Sequence, residues 1–304
     1  MLNLRIRGEA IASCSGEDWT LYHGDCVRVV SGLAQNSVGL SIFSPPFSNL
    51  YIYSDYLEDL GNCATHDEFF DHFSFLITEL YRVTQVGRLC AIHCKDLPLY
   101  KGRDGAAGLF DFAGEAVRRF ITAGWTFHSR VTIWKDPVIE MQRTKNHGLL
   151  YKELRRNSCA SRMGMADYLL AFRKWDGHSE AEWPNPVPHM KEDFPLDQWQ
   201  QWASPVWMDV RQTHVLQYRD AKDDEDERHI CPLQLDVIER GLTLWSNPGD
   251  VVLDPFAGIG SAGYMALKMR RQFIGVELKD SYNDVAVMNL KAACAERLQG
   301  QLPL

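Results

Sequence analysis

Two turn segments, far apart in the chain, each follow a short apolar run of the kind that forms a buried strand. The first is Ser44-Pro45-Pro46-Phe47, which follows Ser41-Ile42-Phe43. The second covers residues 254–261, Asp-Pro-Phe-Ala-Gly-Ile-Gly-Ser, which follow Val251-Val252-Leu253. Such strands alternate with helical segments along the chain. This alternation predicts an α/β fold, with a mostly parallel, doubly wound sheet that carries helices on both faces.

The predicted elements follow from the hydrophobic pattern. We predict strands over residues 19–23, 38–43, 87–94, 125–135, 166–173, 250–254 and 272–277. We predict helices over residues 68–85, 107–122, 232–246, 261–270 and 281–297. The fourth and fifth strands lack a crossover helix between them, so we expect them to pair as an antiparallel hairpin at one edge of the sheet.

The glycine-containing segment fits a cofactor that contains a nucleoside, but it does not by itself say which one. Gly258, Gly260 and Gly263 satisfy the spacing G-x-G-x-x-G, and Glu277 ends the next apolar run. A dinucleotide-binding fold places its ribose-binding acid at a comparable position. The pattern indicates a backbone that a nucleoside can approach closely and a carboxylate for two ribose hydroxyls. Alone, it leaves open a nicotinamide-dependent oxidoreductase and a purely structural glycine turn.

The proline segment favours a different chemistry from hydride transfer. Pro45 and Pro46 lack N–H donors, so the local carbonyl groups are free to accept hydrogen bonds. Ser44 adds a hydroxyl and Phe47 an aromatic face. The exocyclic amino group of a base is a poor nucleophile, and acceptors that hold its hydrogens out of the ring plane restore its lone pair. The segment indicates amino-group methylation, with an ordinary Pro-Pro turn as the structural alternative.

These two segments, in this order, resemble the β group of S-adenosylmethionine-dependent amino methyltransferases of DNA. The resemblance implies S-adenosyl-L-methionine as the cofactor and double-stranded DNA, with a base flipped out of the duplex, as the substrate. The catalytic residues that it implies are Ser44, Pro45, Pro46 and Phe47. The cofactor-binding residues that it implies are Asp25, His229, Asp254, Pro255, Phe256, Gly258, Gly260, Ser261 and Glu277.

The same resemblance gives three acidic residues separate roles. Asp254 would bind the methionine amino group, Glu277 the ribose hydroxyls, and Asp25 the amino group of the cofactor's adenine. His229 lies three residues before Pro232, in the place where the family usually has a His-Pro or Lys-Pro element at the methionine end.

Two target bases remain open. Serine at the first position of the tetrapeptide is typical of N4-cytosine enzymes. The longer segment Ser44–Tyr51 resembles solitary, prophage-type methylases, for which adenine is a usual target. Both amino groups present the same two hydrogens to the same acceptors, so geometry alone does not choose, and we slightly favour adenine N6 over cytosine N4. A nicotinamide-dependent oxidoreductase and a non-catalytic DNA-binding protein are the more remote alternatives.

The charge is unevenly distributed along the chain. The formal net charge is −8, yet residues 118–174 contain twelve basic side chains against four acidic ones. This region can therefore approach phosphate despite the acidic total. We predict a basic, DNA-contacting hairpin arm over residues 136–165. Its candidate DNA-binding residues are Arg143, Lys145, Lys152, Arg155 and Arg156.

The chain is thus expected to divide into consecutive functional parts. The predicted parts are the catalytic half of the methyltransferase domain at 1–135, the arm at 136–165, an edge strand at 166–174, a target-recognition region at 175–228, and the cofactor-binding half at 229–304. The edge strand at 166–174 is assigned from the expected hairpin. The target-recognition region at 175–228 is assigned from the resemblance, and it is rich in Trp and Pro.

Composition adds further expectations. The eight cysteines show no C-x-x-C pair, and in a strand His93 would point away from Cys90 and Cys94, so we predict no metal site. The sequence has no apolar run of about 18 residues and no basic, apolar leader, and we expect a cytoplasmic protein. The resemblance implies a homodimer. No feature of the chain points to a cognate restriction nuclease.

Overall fold

A computed structural model describes residues 12–47, 60, 63–144, 151–160, 163–177, 183–217 and 232–299. Within these ranges, no helix is both long and apolar enough to cross a membrane. The strands are β1 (Ala12–Ser15), β2 (Trp19–His23), β3 (Val38–Phe43), β4 (Thr84–Lys95), β5 (Leu97–Leu99), β6 (Gly108–Phe110), β7 (Thr126–Ile133), β8 (Asp167–Arg173), β9 (Val206–Trp207), β10 (Val251–Asp254) and β11 (Gln272–Glu277).

Nine of these strands form one sheet, in the order β1-β2-β11-β10-β3-β4-β8-β7-β9. The five strands from β2 to β4 in this order are mutually parallel. β8 runs antiparallel to both β4 and β7, and β9 pairs parallel with β7. The mostly parallel α/β class and the antiparallel hairpin are therefore confirmed.

The helices are α1 (Cys26–Gly32), α2 (His66–Val83), α3 (Lys101–Asp104), α4 (Phe112–Thr122), α5 (Pro137–Thr144), α6 (Tyr151–Arg156), α7 (Leu196–Trp202), α8 (Leu235–Trp245), α9 (Ser261–Lys268) and α10 (Asp280–Gln299). One apolar core contains side chains of α1, α2 and α4, and a second contains those of α8, α9 and α10. Both faces of the sheet are covered, which explains why its central strands are mostly apolar.

The local sequence of helix α2 determines both where it begins and which face is buried. Thr65 caps its first turn by accepting from the Glu68 N–H, and the Glu68 carboxylate accepts in return from the Ala64 N–H. This reciprocal pair fixes the start of the helix. Phe69 and Phe73 recur at helical spacing and are fully buried, so this face packs on the sheet.

Three predictions about the arrangement of the chain require correction. The strand predicted over 166–174 is not at the edge of the sheet, because β8 pairs with β4 on one side and with β7 on the other, and β9 forms the edge beyond β7. The insertion over 136–165 contains α5, α6 and a 3₁₀ turn at Ser158–Ala160, none of which the hydrophobic pattern predicted. The two expected halves at 1–135 and 229–304 also interleave, since β11 and β10 lie between β2 and β3.

Candidate active site

The site lies where the parallel strands end, which we call the carboxyl edge of the sheet. The next segment of chain after β10 forms β11 on one side, and the chain after β3 forms β4 on the other side. Ligands of open α/β sheets bind at such a switch point. The side chains that follow the ends of β2, β11, β10 and β3 are those of the predicted site, and they include Asp25, Glu277, Asp254 and Ser44.

The turn after β10 has a conformation that requires glycine. Gly258 has a φ of +54° and Gly260 a φ of +86°, both in the left-handed region. A β-carbon on Gly258 would meet no atom within 4 Å, whereas one on Gly260 would lie 3.3 Å from the Ala286 β-carbon. The turn therefore leaves open space beside Gly258 and packs closely against α10 at Gly260.

Gly263 has a different role from the first two glycines. It lies within α9, and a β-carbon there would come within 2.5 Å of the Phe273 ring and of the Leu290 side chain. The third glycine of the G-x-G-x-x-G spacing thus permits close packing of α9 against β11 and α10. Ser261, the first residue of α9, is buried.

Three carboxylates surround the turn. Asp254 is buried and accepts from the Phe256 N–H at 2.9 Å. Burial raises the pKa of its carboxyl to about 8, with the charge of Glu277 acting in the same direction. Glu277 accepts from the Gly258 N–H, and Asp25 caps α1 by accepting from the Arg28 N–H.

The backbone brings Asp25 and Glu277 to neighbouring positions. Strands β2 and β11 pair in register up to His23 and Glu277. The Gly24 N–H then donates to the Glu277 carbonyl at 2.9 Å, directly before Asp25. The two acids predicted to bind opposite ends of the cofactor's nucleoside therefore follow adjacent strands.

The proline segment lies beside the glycine turn. The ring of Phe43, the last residue of β3, lies 5.7 Å from that of Phe256. Pro45 is buried, and Ser44, Pro46 and Phe47 are partly exposed. The Phe47 ring meets Phe112 edge to face, with centroids 6.0 Å apart. The two segments identified from sequence thus form adjoining walls of one site.

A chain of polar side chains extends from Ser44 into the protein. Ser44 Oγ lies 3.3 Å from His93 Nδ1 and 3.3 Å from the His93 carbonyl oxygen. His93 Nε2 lies 3.1 Å from Asp167 Oδ2, and Lys135 Nζ lies 2.6 Å from the same oxygen. The side chains of His93, Asp167 and Lys135 are only 9%, 6% and 6% exposed.

Sequence reasoning missed these three residues, although one signal was present. A histidine within the otherwise apolar run of β4 is unusual enough to indicate a partner. The partners come from β7–β8, since Lys95 pairs opposite Asp167 and His93 lies two residues away on the same face. A second buried ion pair, Lys95 to Glu140 at 2.6 Å, links β4 to α5.

The cysteines near His93 belong to a different environment. Cys90 and Cys94 face the apolar core beneath α2 and α4, and burial raises the pKa of both thiols. His93 points to the opposite face, toward Ser44 and Asp167. Among the residues that the structure describes, no group of three or more His, Cys, Asp and Glu side chains is arranged to bind a metal.

The predicted DNA-binding residues whose side chains the structure describes lie on helix α6. Lys152, Arg155 and Arg156 lie exposed on α6, and Arg156 Nη1 is 3.6 Å from Glu153. His229 and Lys145 lie outside the described residues, as does the side chain of Arg143. The insertion nevertheless begins at the carboxyl edge, because β7 has the same direction as β4 and the insertion follows its end.

Comparison with known proteins gives the same class of enzyme. Residues 38–288 match a family described as DNA methylase, of the N6/N4 methyltransferase type. DNA adenine methyltransferase YhdJ of Escherichia coli strain K12 is 24% identical over 290 residues, which cover 90% of this chain and 83% of the relative. Type II methyltransferase M1.MboII of Moraxella bovis is 25% identical, with 86% of this chain and 92% of the relative covered.

Solved structures share the fold. A DNA modification methylase from Thermus thermophilus, complexed with S-adenosyl-L-methionine, has a TM-score of 0.63 at 21% identity and covers 90% of this chain and 95% of that chain. The cytosine-N4-specific PvuII DNA methyltransferase has a TM-score of 0.65 at 17% identity and covers 94% of each chain. Because the family match spans most of the sequence, the chain belongs to the S-adenosylmethionine-dependent DNA methyltransferases that methylate adenine N6 or cytosine N4.

Proposed function

We propose that this enzyme methylates the N6 amino group of adenine in double-stranded DNA. The relative that aligns with 90% of the chain is named as a DNA adenine methyltransferase. The segment that begins at Ser44 also resembles that of solitary adenine methylases. Cytosine N4 is the second candidate, favoured by the serine at the first position of the tetrapeptide and by the fold shared with the cytosine-N4-specific PvuII enzyme.

The observation that carries the proposed site is the contact between its two segments. Phe43 and Phe256 are 5.7 Å apart, so the acceptors of the proline segment and the glycine turn border the same space. Ser44 Oγ and the Pro45 carbonyl accept from the target amino group, and Phe47 stacks on the flipped base. The amine attacks directly, so no covalent enzyme intermediate forms.

The residues of the turn suit S-adenosyl-L-methionine, which supplies an electrophilic methyl group when bound. Asp254 offers a carboxyl whose pKa is raised chiefly by burial, with the charge of Glu277 acting in the same direction, so a bound ammonium group would stabilise its ionised form. Gly258 leaves space for the ligand. Glu277 accepts from the ribose hydroxyls, Asp25 from the adenine amino group, and Phe256 packs against the cofactor. His229, Pro255, Gly260 and Ser261 complete the proposed set.

We assign DNA contacts to the basic insertion at 136–165. Lys152, Arg155 and Arg156 are exposed, and the insertion follows a strand that ends at the carboxyl edge. Arg143 and Lys145 belong to the same proposed surface by sequence. Residues 175–228 form the proposed target-recognition region, although Trp207 is buried and serves packing.

We also propose that the enzyme acts as a homodimer, as the family resemblance implies. Sedimentation equilibrium of the purified chain should give twice the monomer mass. A mass of one chain at every concentration at which the enzyme is active would contradict this assembly.

The target base is identified by digestion of methylated DNA. Duplex DNA is treated with enzyme and labelled S-adenosyl-L-methionine, hydrolysed to nucleosides and separated by mass spectrometry. We expect N6-methyladenine; N4-methylcytosine as the sole product would establish the second candidate. Absence of S-adenosyl-L-methionine binding in calorimetry, or DNA binding without methyl transfer to a base, would contradict the proposed reaction.

Two substitutions test the catalytic assignment. Ser44→Ala removes one acceptor, and Phe47→Ala removes the stacking ring. We expect Ser44→Ala to reduce methyl transfer by about 10²-fold, the usual effect of losing one preorganised polar contact. We expect Phe47→Ala to reduce it by about 10-fold to 10²-fold, because base–aromatic stacking is worth about 1–3 kcal/mol. Binding of S-adenosyl-L-methionine should remain unchanged. Normal turnover in either variant would show that the catalytic site is elsewhere.

A further inference from the structure

Among the described residues, Ser44 has two hydrogen-bonding partners, and both belong to His93. The carbonyl oxygen of His93 can only accept, and it competes with Nδ1, at the same distance of 3.3 Å, for the single hydroxyl proton of Ser44. The ring nitrogen Nδ1 accepts or donates according to the histidine tautomer. With the ring proton on Nε2, both neighbours of Ser44 Oγ are acceptors, so the hydroxyl proton is held inward and the lone pairs of Oγ are left to a substrate. With the proton on Nδ1, the ring would donate to Oγ and occupy one of those lone pairs.

The partners at the other end of the ring set that tautomer. Burial acts to raise the pKa of Asp167, but the hydrogen bond from His93, the positive charge of that ring when it is protonated, and the charges of Lys135 and Lys95 outweigh it and hold the pKa well below the usual range. Asp167 is therefore an ionised carboxylate, which only accepts, so His93 Nε2 carries a proton.

Lys135 determines the charge of the group. Its ammonium lies 2.6 Å from Asp167 Oδ2 and already balances that carboxylate. A second proton on His93 would leave an uncompensated positive charge in a site where all three side chains are nearly buried, which is costly. The neutral ring with its proton on Nε2 is the form that leaves the cluster without net charge.

We propose that His93 is a positioning residue, which Asp167 and Lys135 hold as the neutral Nε2–H tautomer so that the Ser44 hydroxyl donates inward and its oxygen faces the substrate purely as an acceptor. This inference rests on the proposed methylation of an amino group. An amine needs acceptors for its two hydrogens, and a serine that donated toward it would compete for the lone pair that attacks.

A role for His93 as the final proton acceptor is less well supported by the chemistry. The methylated amine regains conjugation with the base ring when it loses its proton, so that proton is strongly acidic. Water suffices to remove it, and a dedicated base would add little. The orientation of acceptors before attack, in contrast, determines whether the nitrogen is nucleophilic at all.

The decisive variant is the pair Asp167→Asn with Lys135→Met. The double change removes both charges together, and so leaves no unpaired buried lysine. The asparagine amide can donate to His93 Nε2, which moves the ring proton to Nδ1 and makes Nδ1 a donor to Ser44, as in Ser–His–Asp sites where this change produces the wrong tautomer. We expect single-turnover methyl transfer to fall by about 10²-fold, with the Kd for S-adenosyl-L-methionine unchanged.

The tautomer can be observed directly. Two-bond proton–nitrogen correlation spectra of ¹⁵N-histidine-labelled protein should show His93 protonated at Nε2 in the wild type and at Nδ1 in the double variant. The His93 signal is assigned by its loss in His93→Asn. A wild-type ring protonated at Nδ1, or a folded double variant with wild-type turnover, would overturn the inference.

Substitution of His93 itself separates positioning from proton transfer. His93→Asn retains a side-chain acceptor near the place of Nδ1 but is not a base, whereas His93→Leu retains neither property. Asp167 keeps Lys135 as its partner in both, so no charge is left unpaired. We expect His93→Asn to recover most of the rate that His93→Leu loses; equal loss in both would overturn positioning.

The outcomes distinguish this inference from the function on which it rests. A wild-type enzyme that transferred no methyl group to a base would overturn both. An active wild type with fully active His93→Leu would overturn the positioning role alone and leave the proposed methylation intact.

Discussion

The Gly258 N–H donates to Glu277 Oε2 at 2.7 Å, and the second oxygen of the same carboxylate accepts from the Lys279 N–H at 2.9 Å. Glu277 therefore joins the glycine turn after β10 to the loop after β11 through these two hydrogen bonds. The residue proposed to bind the ribose also holds the backbone beneath it, so the same side chain contributes to stability and to affinity.

Glu277→Gln separates these two contributions in part. An amide offers one acceptor oxygen, so one of the two backbone N–H groups loses its partner. We expect a loss of about 1–3 kcal/mol in the free energy of unfolding, together with weaker S-adenosyl-L-methionine binding, measured by denaturant titration and calorimetry. Glu192→Gln, an exposed change of the same type away from the turn, serves as the control. Wild-type stability in Glu277→Gln would show that the turn does not depend on this carboxylate.

Asp254 should make folding stability depend on pH. Burial raises its pKa to about 8 in the folded protein, against roughly 3.9 in an unfolded chain. The folded state therefore binds the proton more tightly, and the free energy of unfolding falls as pH rises from about 4 to about 8. Asp254→Asn keeps the acceptor for the Phe256 N–H but does not titrate.

We expect Asp254→Asn to be more stable than the wild type at pH 8.5, and the advantage to shrink toward pH 5. Chemical unfolding at several pH values, in the absence of cofactor, measures this difference. An identical pH profile for the two proteins would mean that Asp254 ionises in the folded state as freely as in water.

The same carboxyl should release a proton when the cofactor binds. Near neutral pH it is protonated in the ligand-free protein, and pairing with the methionine ammonium would ionise it. Calorimetric titrations in two buffers of different ionisation enthalpy should therefore detect proton release at pH 6.5 that declines above pH 8. Asp254→Asn should bind S-adenosyl-L-methionine weakly and without that component. Equal release by the variant would assign the proton to another group.

The elements that could be predicted from sequence are those determined by the local hydrophobic pattern. Strands over 19–23, 38–43 and 272–277 have the predicted bounds, because each is a short apolar run ended by turn residues. β9 has only two residues and exists because Val206 and Trp207 pair with β7, a contact distant in sequence. Helices α5 and α6 are short and largely exposed, so they lack a strong apolar periodicity.

The active site also has a part that was predictable from local sequence and a part that depends on contacts distant in sequence. Ser44 to Phe47 and the turn from Asp254 were identifiable from sequence because the residues that act together in each segment are consecutive in the chain. The group behind Ser44 depends instead on the register of β4 with β8, which places Asp167 opposite Lys95 and beside His93. Strand register is a property of the folded sheet, and no spacing along the chain encodes it.

Gly258 and Gly263 should respond differently to alanine. At Gly263 a methyl group would clash with Phe273 and Leu290, and we expect a loss of about 1–3 kcal/mol in stability. At Gly258 it meets no neighbour, but a φ of +54° costs about 1–2 kcal/mol. The added carbon would also enter the proposed cofactor space.

Thermal melts with and without S-adenosyl-L-methionine distinguish the two glycines. Gly263→Ala should melt lower yet retain the full upward shift on adding cofactor. Gly258→Ala should lose most of that shift. Retention of the shift by Gly258→Ala would place the cofactor away from the open side of the turn.

The basic insertion should contribute to DNA affinity through phosphate contacts. Arg155→Gln with Arg156→Gln removes two exposed positive charges from α6. Each lost phosphate contact reduces the slope of log affinity against log salt by about 0.9, so we expect weaker binding and a slope lower by up to roughly 2. Lys268→Gln with Arg270→Gln removes the same charge at the opposite edge of the sheet, where α9 ends, and should leave the slope unchanged. Fluorescence anisotropy of labelled duplex DNA at several salt concentrations measures both, and an equal effect of the two pairs would indicate a general charge effect with no contact by the insertion.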